Sequence, residues 1–195
     1  MKNILILNGP NLNLLGTREP EIYGDQTLEQ INAFVEQELQ EYNLTLTSRQ
    51  SNHEGELIDL LQQAPKSFDG VVFNPAAFTH YSIALRDAIA AIACPVVEVH
   101  LSAIHEREKF RRHSVLAEVC AGQVSGFGAS SYVYGVDLLL GHDLFMQLSN
   151  KTEELSNTSA VNKTVVDLLH DRFPKYDWSG IYMVEGKDLV IDYYR

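Results

Sequence analysis

Basic residues are scarce in this chain: 15 Lys and Arg stand against 26 Asp and Glu, a formal net charge of -11. A nucleic-acid groove needs clustered cations to displace phosphate counterions, so no nucleic-acid partner is expected. Long apolar runs are missing as well. None approaches the ~18 residues that span a bilayer, and the first residues lack the basic and apolar regions of a signal peptide, so the expectation is no membrane partner and a cytoplasmic setting. Cysteine is rare. Cys94 and Cys120 sit in apolar stretches without metal-like spacing, which fits buried reduced thiols better than a disulfide framework. No Gly-x-Gly-x-x-Gly turn follows the first apolar run, and Gly-x-x-x-x-Gly-Lys-Ser/Thr is absent, so dinucleotide and nucleoside-triphosphate readings lose their main support. A nucleophile elbow and a His-x-x-x-His pair are also missing. No metal is therefore expected, and what remains is acid–base chemistry without a cofactor.

What is present is regular alternation. With 195 residues, 45% of them apolar, the chain holds one ordinary domain with some left over. Ile4 to Leu7 reads as a strand buried on both faces, and Thr27-Leu28-Glu29-Gln30 as a capping box opening a helix that runs to about Tyr42. Leu44 to Arg49 reads as the second strand. Ser51-Asn52-His53-Glu54 is a second capping-box pattern, opening a helix with the face Leu57, Ile58, Leu61 and Ala64 that Pro65 closes. Gly70 to Phe73 is the third strand, and Ile83, Ala84, Ala88, Ile89 and Ile92 form the stripe of the helix after it. Val96 to Val99 is the fourth strand, followed by a charged stretch from Glu106 to His113 that reads as a short helix. Gln123 to Phe127 is the fifth strand. A final helix over Ser130 to Leu148 is weakened by Gly135 and Gly141. Five such alternations predict an α/β three-layer fold, most simply a flavodoxin-like five-stranded parallel sheet of order 2-1-3-4-5.

That topology decides where ligands bind, because open α/β sheets bind them beyond the carboxyl ends of the strands near the switch in strand order. Asn8 and Asn11 follow strand 1, Asn52 and His53 strand 2, Asn74 strand 3, and His100 and Ser102 strand 4. All converge on one edge. A long polar segment from Asn8 to Gly24 separates the first strand from its helix, far beyond the usual ~2–6 residues of such a join, and reads as a lid over a polar substrate.

Two pairs on this edge suit proton transfer. Arg18 and Tyr23 share the lid, and a guanidinium beside a phenol favours phenolate, which a tyrosine of ordinary pKa ~10 needs in order to act as a base. The alternative is that Tyr23 packs on the next helix while Arg18 is a solvated charge. Glu98 lies two residues before His100 on one strand face, where a carboxylate fixes the imidazole's tautomer and suits it to act as an acid. A structural His–Glu hydrogen bond is the competing reading. Asn11, Asn74 and Ser102 offer neutral hydrogen-bonding groups for a hydroxylated small molecule, and Arg111 a partner for its carboxylate. His80 is read equally well as a helix-end residue. His53, His105 and His113 are read as surface or capping residues.

The combination Leu7-Asn8-Gly9-Pro10-Asn11-Leu12-Asn13-Leu14-Leu15-Gly16, Arg18-Glu19-Pro20-Glu21-Ile22-Tyr23-Gly24, Gln50-Ser51-Asn52-His53-Glu54-Gly55, Asn74-Pro75-Ala76-Ala77-Phe78-Thr79-His80, Ala84-Leu85-Arg86-Asp87-Ala88, Val97-Glu98-Val99-His100-Leu101-Ser102 and Phe110-Arg111-Arg112-His113-Ser114 closely resembles type II 3-dehydroquinate dehydratase over about residues 3 to 148. The resemblance implies dehydration of 3-dehydroquinate to 3-dehydroshikimate by anti elimination through an enolate, in the shikimate pathway of aromatic amino acid biosynthesis, with no cofactor or metal. It implies Tyr23 as base, Arg18 as the group keeping it ionised, Asn11 holding the water that stabilises the enolate, and His100, oriented by Glu98, as acid. Asn74, His80, Leu101, Ser102 and Arg111 are implied as substrate ligands. Asp87 is implied to reach in from a neighbouring subunit of a homo-oligomer, a dodecamer built as a tetramer of trimers. Ala103 stands where the family usually has Asn, and Ala76 where it commonly has Gly, departures expected to alter affinity more than activity.

Residues 1–148 are thus read as one domain, 149–163 as an exposed linker rich in Ser, Thr, Asn, Lys and Glu, and 164–195 as an extension. In that extension a helix ends at Pro174, and two strands, Trp178 to Val184 and Leu189 to Tyr194, join at Glu185-Gly186-Lys187-Asp188. Tyr176-Asp177-Trp178-Ser179-Gly180-Ile181-Tyr182 is similar to the opening of GAF-type sensor domains, and the expected role is packing or assembly. Two other classes compete with the enzyme: a flavodoxin-like protein holding a flavin or anion at the same edge, and an assembly or sensor subunit with a degenerate enzyme domain.

Overall fold

The run Ile4 to Leu7 lies within β1 (Lys2–Asn8), whose last five residues are all buried, as a central strand covered on both faces requires. The protein is represented by a computed structural model that describes residues 1–17, 25–152, 157–173, 179–185 and 188–194. The readings placed on Arg18 to Gly24, on Pro174 to Trp178 and on Gly186-Lys187 lie outside the described residues. By its packing the chain divides into two compact units, Met1–Leu139 and Leu140–Arg195.

In the first unit, β1, β2 (Leu44–Gln50), β3 (Gly70–Asn74), β4 (Val96–His100) and β5 (Gly122–Ser125) form a single parallel sheet of order 2-1-3-4-5. The flavodoxin-like arrangement expected from the alternation is present. Helices α1 (Leu28–Glu38), α2 (Glu54–Gln63) and α3 (Ile83–Ala90) follow the first three strands, and α4 (Ser130–Thr152) follows β5.

Registered neighbours in a parallel sheet point to the same face, which sorts the side chains into two sets. Leu5, Leu7, Val71, Phe73 and Val96 meet Leu57, Leu61, Leu85, Ala88 and Ile89 of α2 and α3 in one buried cluster. On the opposite face Gly135 of α4 stands so close to the sheet that an added Cβ would lie 2.7 Å from Val99 Cγ1 and 3.0 Å from Val72 Cγ1. That glycine, which weakened the helix in the sequence, is what lets α4 approach the strands.

Local signals hold at some places and fail at others. Thr27 caps α1 through the expected reciprocal box, its side chain accepting from Gln30 N and its N–H donating to Gln30 Oε1. The second box does not form. Ser51 Oγ instead accepts from His53 N at 3.0 Å and donates to Glu56 Oε2 at 2.5 Å, and α2 opens at Glu54 with no side-chain cap from His53. Along α3 the buried face is Leu85, Ala88 and Ile89, while Ile83 is 56% exposed. The charged stretch from Glu106 to His113 is not a helix: it holds one end of the 3-10 turn Ile104–Glu106 and the separate turn Lys109–Arg111. Arg107 breaks the run with extended backbone, ψ -176. Cys94 is buried but Cys120 only partly so, and burial raises their thiols to about 11 and about 12, leaving both protonated.

In the second unit, α5 (Thr158–Arg172) opens on Asn157, whose side chain accepts from Ala160 N at 2.8 Å. β6 (Gly180–Glu185) and β7 (Asp188–Tyr194) pair antiparallel with Glu185 opposite Asp188, the hairpin expected from the sequence. Within the stretch 149–163, residues 149–152 end α4 and 158–163 begin α5, while the linker reading of 153–156 lies outside the described residues. A polar helix here is supported by its cap and by the Lys163–Asp167 ion pair at 2.9 Å one turn apart. Arg172 Nη2 and Asp143 Oδ2 also pair, at 2.7 Å. Among the described residues no helix is long and apolar enough to cross a membrane.

Candidate active site

The carboxyl ends of β1, β3 and β4 open into a cleft of about 190 Å³. Of the residues singled out in the sequence, Asn11, Asn74, His80, His100, Leu101, Ser102 and Arg111 line it. Glu98 stands behind His100, fully buried. Asp87 lies exposed on α3 and does not line the cleft of its own chain, and Arg18 and Tyr23 lie outside the described residues.

Asn11 reaches the cleft from a left-handed backbone, φ 65 and ψ 0, a conformation that Asn tolerates better than most residues. Its N–H donates to Asn52 Oδ1 at 2.9 Å, which also accepts from Gln50 Nε2 at 3.0 Å. The end of β2 thus braces the loop after β1. Gly9 completes the junction: its N–H donates to Asn74 O at 2.7 Å, and a Cβ there would fall 2.6 Å from Pro75 O. Only glycine fits.

On β4, Glu98 and His100 share a strand face, and His100 Nε2 lies 2.6 Å from Glu98 Oε1. Glu98 receives two further donors, the hydroxyl of Thr79 to Oε1 and that of Ser114 at 2.8 Å to Oε2. Burial alone would raise this carboxyl, but the bond and charge of His100 together with the two hydroxyls outweigh it and hold it below the usual carboxylate range. An ionised carboxylate only accepts, so His100 carries a proton on Nε2 and is left with Nδ1 for chemistry.

His80 is fixed by the same kind of reasoning. His113 O can only accept, so the 2.9 Å contact puts a proton on His80 Nδ1. Burial lowers His80 below the ordinary histidine value, and nearby His100 and Arg111 lower it further, against the raising effect of the His113 bond. A neutral ring with an Nε2 lone pair results, an acceptor for a hydroxyl.

Sequence reasoning missed part of the lining. Pro10, Leu12, Leu15, Ala77 and Ile104 join Ala76, already singled out in the sequence, in giving the cleft apolar walls, and Arg107 brings a second guanidinium beside Arg111. Apolar walls carry no polar signature, and Arg107 sat in a stretch read as helix. Arg107 Nη1 is 3.4 Å from Ser102 Oγ, and Glu108, itself mostly exposed, lies 3.5 Å from Arg107 Nε and 3.7 Å from Arg111 Nε. In a chain of net charge -11, two guanidiniums at one cleft make a local field for an anion. Of the two departures from the family pattern, Ala76 lines the cleft and Ala103 does not. No group of three or more acidic, His or Cys residues arranged to hold a metal occurs among the described residues.

An open α/β sheet of order 2-1-3-4-5 whose strand ends present an imidazole–carboxylate pair and two guanidiniums at one cleft defines a flavodoxin-like protein with a polar pocket at that edge. The family profile described as dehydroquinase class II matches residues 2–140. The chain is 56% identical over 140 residues to a 3-dehydroquinate dehydratase of Bacillus pumilus, covering 72% of this chain and 95% of that protein. It is 55% identical over 139 residues to one of Geotalea daltonii, covering 71% and 96%. Among solved structures it is similar to the type II dehydroquinase from Butyrivibrio crossotus, with TM-score 0.69, 44% identity and coverage of 71% and 97%. This chain belongs to the class II dehydroquinase family.

Proposed function

We propose that the protein dehydrates 3-dehydroquinate to 3-dehydroshikimate, a hydro-lyase reaction of the shikimate pathway, by anti elimination through an enolate. The observation that carries this reading is the Glu98–His100 pair at 2.6 Å, with His100 lining the same cleft as Asn11, Asn74 and Arg111. Tyr23, kept ionised by Arg18, removes the proton α to the ketone. Asn11 holds the water that stabilises the enolate. His100 then protonates the departing hydroxyl, which leaves as water, and because Nε2 is engaged by Glu98 the proton travels from Nδ1.

Binding follows from the groups at the cleft. Arg111 meets the carboxylate as a planar donor, while Ser102 and the backbone at Leu101 hold the same end of the substrate. His80 accepts from a ring hydroxyl through Nε2, and Asn74 contributes a carboxamide. The reading further takes Asp87 as a residue supplied across a subunit boundary, in a cytoplasmic dodecamer built as a tetramer of trimers. Its exposure on α3, away from its own chain's cleft, supports that assignment. Side-chain acid–base chemistry suffices, so no cofactor is invoked.

The assay is the appearance of the conjugated product in the ultraviolet on adding 3-dehydroquinate. Turnover by the intact chain, with Tyr23→Phe and His100→Ala each losing at least ~100-fold in kcat, is the expected result. Undiminished turnover in both variants removes the mechanism. Residues 164–195, an incomplete GAF-like extension in this reading, serve packing or assembly and not ligand sensing. Truncation after Leu148 is then expected to change oligomeric state or stability, and a truncated chain indistinguishable from the whole in both, and in activity, sinks that assignment.

A further inference from the structure

Two buried hydrogen-bond networks reach the cleft from opposite faces of the sheet. The first joins Thr79, Ser114, Glu98 and His100, and the proposed acid uses it. The second is used by no step above. Tyr132, on the first turn of α4, is 1% exposed, and its hydroxyl lies 2.6 Å from Asn8 Oδ1 and 2.9 Å from Asn74 Nδ2. Asn8 and Asn74 are register partners at the carboxyl ends of β1 and β3. One phenol therefore ties the two strand ends on which the cleft is built.

The direction of this chain is fixed from both ends by backbone groups that have no choice of role. Ala76 N can only donate, so the atom of Asn74 3.2 Å from it is Oδ1. Asn74 Nδ2 then faces Tyr132 and donates to its oxygen. At the other end Arg49 O can only accept, so Asn8 turns Nδ2 toward it, at 3.4 Å, and presents Oδ1 to the phenol. Tyr132 must accept from Asn74 and give its own proton to Asn8. Burial pushes its ionisation well above the ordinary tyrosine value, so that proton stays in place. With Nδ2 and Oδ1 both committed, Asn74 has one N–H left for the cleft that it lines.

We propose that Tyr132 is a positioning residue that locks the Asn74 carboxamide so that it meets the substrate as a hydrogen-bond donor, selecting an acceptor oxygen at that point of the ring. Without the phenol, the carboxamide keeps its bond from Ala76 N but loses the partner that holds Nδ2, so the nitrogen is less firmly fixed and its donor is presented to the cleft for less of the time. Such a contact is made alike in the ground and transition states, so its loss falls on KM more than on kcat.

The kinetic arm rests on the dehydration reading, so a second arm is independent of it. In the first, Tyr132→Phe, Asn74→Ala and the double variant of the full chain are assayed with 3-dehydroquinate. Tyr132→Phe is expected to raise KM up to about tenfold, the scale of one hydrogen bond, with kcat changed less than about threefold. The double variant is expected to match Asn74→Ala alone. In the second, the Asn74 side-chain amide is followed by nitrogen-15 NMR in the ligand-free chain, its signals assigned by their loss in Asn74→Ala. One of its two protons is expected to be protected from solvent exchange, and Tyr132→Phe to abolish that protection. Unchanged KM in Tyr132→Phe, additive effects in the double variant, or amide protection that survives the substitution overturns the proposal. A wild-type chain that does not turn over 3-dehydroquinate defeats the dehydration reading and leaves the NMR arm decisive. Should Tyr132→Phe not fold, Asn8→Ala tests the other end: it removes the acceptor of the phenolic proton, turns that proton toward Asn74, and is expected to diminish the same amide protection. Protection unchanged there is equally fatal.

Discussion

His100 and Glu98, two residues apart on β4, point to the same side of the sheet and meet at 2.6 Å, with the carboxylate fully buried behind the imidazole. Three donors converge on that carboxylate, so its ionised form is the one the site is shaped for. Glu98→Gln keeps size and shape but removes the charge and one acceptor oxygen. The Thr79 and Ser114 hydroxyls can rotate to suit the new amide, whereas the imidazole loses its anionic partner. The expected outcome is a kcat lower by about 100-fold with KM changed little, as for loss of a general acid's support. Steady-state kinetics on the folded variant decide it, and an unaltered kcat separates Glu98 from the proposed proton transfer.

The same groups set the response to acid. Glu98 has a lowered folded-state pKa, so the unfolded chain binds its proton more readily, and its contribution is complete above the unfolded value and lost as pH falls through the folded one. His80 is lowered too, chiefly by burial. Its contribution begins to fade as pH falls below the ordinary histidine value of about 6.5. Stability should therefore decline in two stages on acidification, the first attributable to His80 and the second to Glu98. Denaturant midpoints taken from pH 8 down to about pH 3, below the ordinary carboxylate value, measure this, and His80→Gln is expected to flatten only the upper stage.

Ala76 has φ 51, a left-handed backbone that costs an L-residue with a Cβ roughly 1–2 kcal/mol. Glycine relieves that strain but adds unfolded-state entropy worth roughly 0.5–1 kcal/mol. Ala76→Gly is expected to stabilise the chain by about 0.5–1 kcal/mol in equilibrium unfolding. The shift of Ala76 N on relaxation also touches Asn74 Oδ1, so substrate affinity should change together with stability.

Alternation of strand and helix made the sheet order readable from the chain, because parallel strands need crossovers and each apolar run is short. The polar residues at the strand ends were readable for the same reason: topology forces them onto one edge. The details that escaped are those in which one group has several competing partners. Ser51 has the spacing of a capping box, yet its hydroxyl serves His53 N and Glu56. The Glu106 to His113 stretch has helical charge spacing, yet extended backbone at Arg107 divides it. Tyr132 carried no signal in the sequence, since nothing local marks a phenol that bridges Asn8, 124 positions away, and Asn74, 58 away.

Gly135 shows how tertiary contact reverses a local rule. Helix propensity says that alanine should replace it with a gain of about 1 kcal/mol. The added methyl, however, would lie 2.7 Å from Val99 Cγ1 and 3.0 Å from Val72 Cγ1, and these belong to stiff β-branched side chains buried in the central strands. Neither valine has room to turn aside, so α4 must lift from the sheet, at the roughly 1–3 kcal/mol or more that overpacking costs. Gly135→Ala is therefore expected to destabilise the chain by about 1–2 kcal/mol net, read as a lower thermal midpoint. Because Tyr132 lies three residues before Gly135 on α4, the lift also draws the phenol from Asn8 and Asn74, and KM should rise with the loss of stability. Pairing Gly135→Ala with Val99→Ala, which vacates the nearest methyl, should recover part of the affinity despite the smaller core side chain. Affinity that stays at the single-variant value would mean that the helix is not held at its distance from the sheet by that contact.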